Sequence, residues 1–448
     1  MRLLLTHGYF LFEDPKEREI MKPYVPLGIL YLSSHLRNKG FEVDVYDSTF
    51  GSKDELFRLI QEGPPAAIGI YANLMTRGNA VQIIACAREA GWTVIVGGPE
   101  PANYVEQYLA AGAHVVVAGE AELTLEHLLS TNLDPASWPE IQGICFYSPE
   151  RCVVRTAPGS LIKDLDHQPW PDRERIAIDR YLAVWRKHHN IGSISLITAR
   201  GCPYHCNWCS HSVYGKTHRR RSPRGVVDEI EWILNRYSPE MLWLADDVFT
   251  IHHGWLFEYA AEMQRRGLHV PFECITRADR VNDRVAAVLA SLGCFRVWIG
   301  SESGSQRILD AMQRGVTVQQ VRNATALCKQ SGIQVGMFLM WGYEGEEIED
   351  IQATVDHVKQ CQPDVCFTTV SYPIKGTPYF DRLSPRLINI LDWNHSTDRD
   401  FRVRGRHSRA FYTHADELLR SELSHQPDPA KTLAAREALH RTSQEVEA

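Results

Sequence analysis

The chain has 448 residues, 44% of them hydrophobic and 23% charged, with a formal net charge of −7. That length supports two or three domains, each with its own core, and the composition is that of an ordinary globular protein. The acidic balance argues against an extended nucleic-acid surface, and no apolar run reaches the roughly 18 residues of a membrane helix.

The first apolar run breaks at Thr6, His7 and Gly8, and Glu13 and Asp14 follow, so it reads as a strand and not as a leader peptide. Strand patterns at 3–6, 42–46, 66–70, 93–96 and 114–117 alternate with helical patterns at 28–39, 53–61, 78–90, 104–111 and 122–129. Such alternation predicts right-handed crossovers and an α/β, doubly wound parallel sheet over residues 1–135. Ligands of these sheets lie outside the carboxyl ends of the strands. The residues there are Pro26 and Gly28, Tyr71, the pair Gly97 and Gly98, and Gly119 with Glu120. Glycines at such ends let a backbone come close to a large ligand.

Residues 136–190 are rich in proline and weak in periodicity, which predicts a connector holding a small hairpin (143–147 with 152–156). From 191 to 385 the alternation resumes. Strands are expected at 194–198, 241–245, 270–275, 295–299, 334–340 and 365–370, with helices at 224–236, 254–266, 283–292, 306–313, 318–331 and 348–360. Ser222-Pro223 and Thr377-Pro378 are helix-start signals, a capping hydroxyl followed by proline at the first helical position. Residues 386–448 read as a helical tail whose polar end, from 425 onward, frays.

The chemistry concentrates after the first strand of this second region, at Cys202, Cys206 and Cys209. Thiolates are soft ligands suited to zinc and iron–sulfur clusters. Structural zinc takes four ligands, for which His205 or His211 would have to join the three cysteines. Three cysteines instead suit a cubane with one iron left open. The spacing, the place after a first strand and Trp208 before the last cysteine resemble the radical S-adenosylmethionine (SAM) superfamily.

That resemblance implies a partial (β/α)6 barrel and a 4Fe-4S cluster on Cys202, Cys206 and Cys209, whose open iron binds SAM. It also implies that the reduced cluster cleaves SAM to a 5′-deoxyadenosyl radical. In that family Asp247, Arg277, Ser301, Glu302, Gly342 and Trp208 fall where SAM is held. Two alternatives stay open: Asp246 and Asp247 capping a loop, and Arg277 paired with Asp279 or Asp283. The segments at 26–32, 97–100 and 119–122 resemble the cobalamin-binding domain that precedes the barrel in one class of the superfamily. This class includes methyltransferases and the anaerobic magnesium-protoporphyrin ester cyclase branch. No histidine here stands in an Asp-x-His-x-x-Gly pattern, so the resemblance implies cobalamin without that axial ligand. A flavodoxin-like domain without a cofactor is the other reading.

The class implies a small-molecule substrate, an external one-electron donor of flavodoxin or ferredoxin type, and C-methylation of an unactivated carbon. Radical cyclisation or rearrangement, a plain radical SAM enzyme and an iron–sulfur sensor are the competing functions. Eleven scattered cysteines, with no disulfide-like framework, point to a reducing, cytoplasmic setting. The run Lys216-Thr217-His218-Arg219-Arg220-Arg221 is either a solvated loop or an anion-binding edge.

Overall fold

The computed structural model describes residues 2–388, 391–424, 426 and 428–447. Its first part runs β1 (Arg2–His7), α1 (Pro15–Ile20), α2 (Leu27–Asn38), β2 (Glu42–Tyr46), α3 (Lys53–Glu62), β3 (Ala67–Tyr71) and α4 (Arg77–Glu89). There follow β4 (Thr93–Gly97), α5 (Val105–Ala110), β5 (Val115–Val117), α6 (Glu122–Ser130), β6 (Ile144–Tyr147), β7 (Val153–Arg155) and α7 (Ile178–His189). The sheet order is β2-β1-β3-β4-β5-β6-β7. Strands β1 to β5 pair in parallel, with Leu5 opposite Gly69 and Ile70 opposite Val96. Chain direction along the sheet reverses at β1 and β3, the switch point where such folds take ligands.

Two differences from the sequence reading have simple causes. The hairpin β6–β7, expected in the connector, extends the first sheet in antiparallel sense, with Val116 opposite Cys145. Helix α7 lies where only a connector was expected. It buries Ile178, Tyr181, Leu182 and Trp185, an i, i+3, i+4, i+7 stripe that the flanking prolines masked.

The second part runs β8 (Ser193–Leu196), β9 (Ala199–Arg200), β10 (Arg219–Arg220), α8 (Pro223–Tyr237), β11 (Met241–Leu244) and α9 (His253–Arg265). Next come β12 (Phe272–Thr276), α10 (Asp283–Ser291), β13 (Cys294–Glu302), α11 (Gln306–Ala311), α12 (Val318–Gln330) and β14 (Gln334–Trp341). The series ends with α13 (Ile348–Cys361), β15 (Val365–Val370), α14 (Pro378–Leu383), β16 (Leu387–Ile388), β17 (Arg402–Val403), α15 (Arg409–Glu422) and α16 (Pro429–Thr442). Six strands form one sheet in sequential order, β8-β11-β12-β13-β14-β15. Sequential order with helical crossovers is the winding of a β/α barrel. The caps read from sequence are present: Ser222 Oγ accepts from Gly225 N at 3.0 Å, and Thr377 Oγ1 from Phe380 N at 3.2 Å.

Compactness does not break at residue 190. One unit comprises the chain to Pro203 with Ser210–Leu242 and Asp392–Thr397; the other comprises Tyr204–Cys209, Trp243–Leu391 and the chain from Asp398. Within the second unit, α15 and α16 bury Phe411, Leu418, Leu419 and Leu439 against Trp341, Ile351 and Val355. The end of the tail is therefore packed helix over α16, not frayed; His425, Pro427 and Ala448 lie outside the described residues. No helix among the described residues is long and apolar enough to cross a membrane.

The arginines of the basic run do not form a freely solvated loop. Arg219 donates to Glu120 at 2.7 Å and to Ile162 O at 2.6 Å, and Arg220 donates to Thr198 Oγ1 at 2.9 Å. Arg221 pairs with Glu229, which also takes Arg173 at 2.5 Å, and neither Glu229 nor the Arg173 side chain reaches solvent. A charge in low dielectric is stable only when paired, so the run turns inward to carboxylates already buried there.

Candidate functional site: the cysteine loop and the strand ends around it

The loop bearing the cysteines is closed at its root by the short antiparallel ribbon of β9 and β10. Its first residue, Gly201, has φ +85°, and a Cβ there would strike Thr217 O at 2.3 Å. Arg200, at that root, pairs with Glu120 at 2.8 Å and with Glu122 at 2.7 Å. Burial opposes Arg200's charge, but these carboxylates outweigh it and hold the guanidinium firmly protonated. Glu120 thus takes Arg200, Arg219 and the Ile162 N–H. Expected to contact a cofactor, it instead ties the loop after β5 to the root of the cysteine loop.

Cys202 and Cys206 are half-buried and Cys209 is exposed. Asn207 fixes the middle of the loop. Its side chain donates to Ala311 O at 2.9 Å and accepts from Tyr343 Oη at 2.7 Å, and its backbone bonds Met312 O and Tyr379 N. Trp208 packs, partly buried, against the core cluster that includes Ile308, Met312, Tyr343 and Tyr379. Among the described residues no three His, Cys, Asp or Glu side chains converge on one point as a single metal ion requires.

Two guanidiniums point at Cys206. Arg277 Nη1 lies 3.9 Å from its sulfur and Arg314 Nη1 3.6 Å. Arg277 also donates from Nε to Asp279 at 2.9 Å and from Nη2 to Arg314 O at 3.0 Å, and it stacks over Tyr204 at 3.6 Å. The ion pair with Asp279 is thus formed, and nearly all of Arg277's donors meet protein, leaving little for a SAM carboxylate. Arg314 was not singled out in the sequence, because it stands beyond α11 and outside any motif.

Glu302 ends β13 in the left-handed region, φ +60°, which a glutamate adopts only when its surroundings enforce it. A register shift between Gly300 and Glu302 marks a bulge, the usual device for re-aiming a side chain beside a site. A Cβ on Gly300 would meet Arg314 Nη2 and Glu302 Oε1, each at 2.6 Å, so a larger residue there would displace the ends of both side chains. Burial raises the Glu302 carboxyl pKa, against the pull of Arg314 and Arg277. Arg314 Nε lies 3.7 Å from Glu302 Oε1, too far for a hydrogen bond. Ser301, expected at the cofactor, turns instead into the core, where its Oγ lies 3.1 Å from His357 Nε2.

Asp247 reaches solvent after β11, while Asp246 is buried. Crowding by the surrounding protein, then the like charge of Asp246, raises the Asp247 carboxyl pKa. Gly342 has φ +72°; its N–H donates to Glu346 and Tyr412 of α15 covers its Cα, leaving 2.8 Å to an added Cβ. Packing of the tail already accounts for glycine at this position.

In the first unit, Pro26 precedes α2, Gly28 is exposed in its first turn, and Tyr71 ends β3. A Cβ on Gly28 would meet only Tyr71 Cε2, at 4.0 Å, so this part of the strand-end shelf is open. Gly97 and Gly119 also leave at least 3.6 Å to the nearest atom. Gly98 does not: at φ +119° its added Cβ would lie 2.3 Å from Ala72 O. That glycine serves the packing of two loops, and a side chain there would disrupt them before meeting any ligand. Glu100, next in this segment, pairs with fully buried Arg77 and accepts from Tyr108 Oη at 2.6 Å.

Comparison with known proteins agrees with both halves. The B12 binding domain model matches residues 19–129 and the Radical SAM superfamily model residues 196–358. An uncharacterized methyltransferase of Pyrococcus horikoshii is 27% identical over 387 residues, covering 84% of this chain and 82% of that protein. The anaerobic magnesium-protoporphyrin IX monomethyl ester cyclase of Rubrivivax gelatinosus is 26% identical over 411 residues, 88% of this chain and 72% of that one. The radical SAM methyltransferase TsrM of Kitasatospora setae, solved with cobalamin and a [4Fe-4S] cluster, superposes with a TM-score of 0.70 at 21% identity. That alignment spans 86% of this chain and 74% of TsrM, and it speaks to the fold. With the three-cysteine loop after the first barrel strand and a parallel sheet of B12-binding type ahead of it, the chain belongs to the radical SAM enzymes that carry an amino-terminal B12-binding domain.

Proposed function

We propose that this enzyme transfers a methyl group to an unactivated carbon of a small-molecule substrate. The observation that carries the reading is the cysteine loop, with two buried guanidiniums directed at one of its sulfurs, in a chain that also holds the B12-binding sheet. The donor set fits an anionic iron–sulfur cluster: three thiols, half-buried or exposed, in a loop fixed by Asn207. The strand-end shelf at Gly28 and Tyr71 fits a large planar ligand with no histidine from an Asp-x-His-x-x-Gly pattern.

When bound, the cluster and SAM supply a 5′-deoxyadenosyl radical and cobalamin supplies the methyl group. The protein's part is to bind, orient and keep water from these groups. Cys202, Cys206 and Cys209 would hold the cluster. Glu302, fixed by its bulge, would accept hydrogen bonds from SAM, with Asp247 near the SAM amino group. Pro26, Gly28, Tyr71, Gly97 and Gly119 would line the corrinoid. An external one-electron donor and a reducing, cytoplasmic setting go with this chemistry. Anaerobic reconstitution with iron, sulfide and hydroxocobalamin, followed by assay with labelled SAM, tests the proposal. Production of 5′-deoxyadenosine with label in the product is expected; a chain that binds no corrinoid leaves only a plain radical enzyme. Cyclisation is the second reading, favoured by the cyclase relative, and it would form 5′-deoxyadenosine without methyl label in the product.

Two substitutions probe the sites separately. Glu302→Gln is expected to weaken SAM binding roughly ten- to a hundredfold with cluster content unchanged. A hydrogen bond to a charged group contributes about 1.5–3 kcal/mol. Equilibrium dialysis with labelled SAM measures this, and parental affinity would remove Glu302 from the site. Gly28→Trp adds bulk where only Tyr71 is near, so the domain should keep its fold and lose corrinoid. Full corrinoid retention by Gly28→Trp, measured by absorbance, would move the ligand elsewhere.

A further inference from the structure

Arg314 links two parts of the candidate site that the sequence reading treated separately. It is 8% exposed and Arg277 is 2% exposed, so both charges are held almost out of water. Arg314 Nη1 donates to Cys206 Sγ while Nη2 donates to Gly300 O at 3.1 Å, at the bulge that aims Glu302. Arg277 reaches the same sulfur and holds the Arg314 carbonyl. The Arg277 guanidinium thus holds the backbone of Arg314, and both guanidiniums close on one cysteine. The carboxylates facing them are Asp279, on Arg277, and Glu302, beside Arg314.

Asp279 pairs with Arg277 Nε at 2.9 Å and with Arg280 Nε at 3.3 Å. Donors aimed at a ligand sulfur, and positive charge buried beside it, favour whichever state of a cluster carries more negative charge.

We propose that Arg277 and Arg314 are positioning residues that raise the reduction potential of the cluster held by the cysteine loop, easing its one-electron reduction. This rests on the reading that Cys206 is a cluster ligand. The step is the uptake of one electron by the oxidised cluster from the external donor, with no bond made or broken. The same braces hold Cys206 in register with the Glu302 bulge.

The test is a dye-mediated redox titration of the reconstituted full chain, without SAM, followed by cluster absorbance and by paramagnetic resonance of the reduced form. Arg314→Gln and Arg277→Gln are each expected to lower the midpoint. At a fixed potential the ratio of reduced to oxidised cluster should fall about tenfold, which for one electron is about 59 mV. Arg314→Lys keeps a point charge but loses the guanidinium fork, so it should fall between parent and Arg314→Gln. If a Gln form does not retain iron, the Lys form carries the comparison. Midpoints equal to the parent in every variant that holds a cluster overturn the proposal. Iron and sulfide content, measured on the same samples, separates that result from failure of the cluster assignment itself: a parent chain that binds no iron refutes the ligand reading.

Discussion

Replacing Cys202, Cys206 or Cys209 with alanine is expected to abolish the broad iron–sulfur absorption of the reconstituted enzyme and its cleavage of SAM. Cys86→Ala, Cys328→Ala and Cys361→Ala should leave both largely intact. The contrast follows from where the thiols sit. Cys86, Cys328 and Cys361 are buried on α4, α12 and α13, at 8%, 0% and 8% exposure. Burial pushes the Cys328 thiol up to about 12 and the Cys361 thiol up to about 11, and it also raises Cys86. A thiol held protonated at neutral pH is a poor ligand, because the thiolate is the form that binds metal. The loop cysteines are more open, and Cys206 has two guanidiniums beside it. Iron and sulfide analysis with absorbance measures the outcome. A full cluster in any of the three loop variants would refute the assignment.

Glu229→Ala is expected to destabilise the first unit by about 3–5 kcal/mol, since it strands buried charges. Glu229 is 0% exposed and takes Arg173 on one oxygen and Arg221 on the other. Arg173 is held further by Ser195 O at 3.1 Å and Arg221 by Gly225 O at 2.9 Å. Without the carboxylate both guanidiniums remain in a place that cannot hydrate them. Urea denaturation of parent and variant gives the comparison. Replacing all three residues with apolar ones of similar volume, Arg173→Met, Arg221→Met and Glu229→Leu, should restore much of the loss, because the ionic desolvation then disappears as well. Unchanged stability in Glu229→Ala would mean that water reaches the two arginines.

The amino-acid sequence by itself determined both sheets and the place of the cysteines. Alternating apolar strands and amphipathic helices are local patterns, set by side-chain period and turn chemistry, so β1 to β5 and the six strands β8 and β11–β15 fall close to where they were expected. Ser222 and Thr377 cap their helices for the same local reason. The spacing of Cys202, Cys206 and Cys209 is likewise a property of a few consecutive residues.

What only the tertiary structure decided were the partners of charged groups. Glu120 looked like a cofactor contact, and the three consecutive arginines looked like a loop or an anion site. Arg219 and Arg221 meet carboxylates 99 and 8 residues away in sequence. Arg277 stood at the right strand end for SAM, but Asp279, Tyr204 and the Arg314 carbonyl claim it. Gly98 read as an approach to a ligand, and Ala72 fills that space. Arg314, which carries no motif, emerged only when the chain brought it to Cys206, 108 residues away. A side chain's residue type fixes what it can bond, but burial makes it bond whatever is nearest, and nearness is set by packing between segments far apart in the chain.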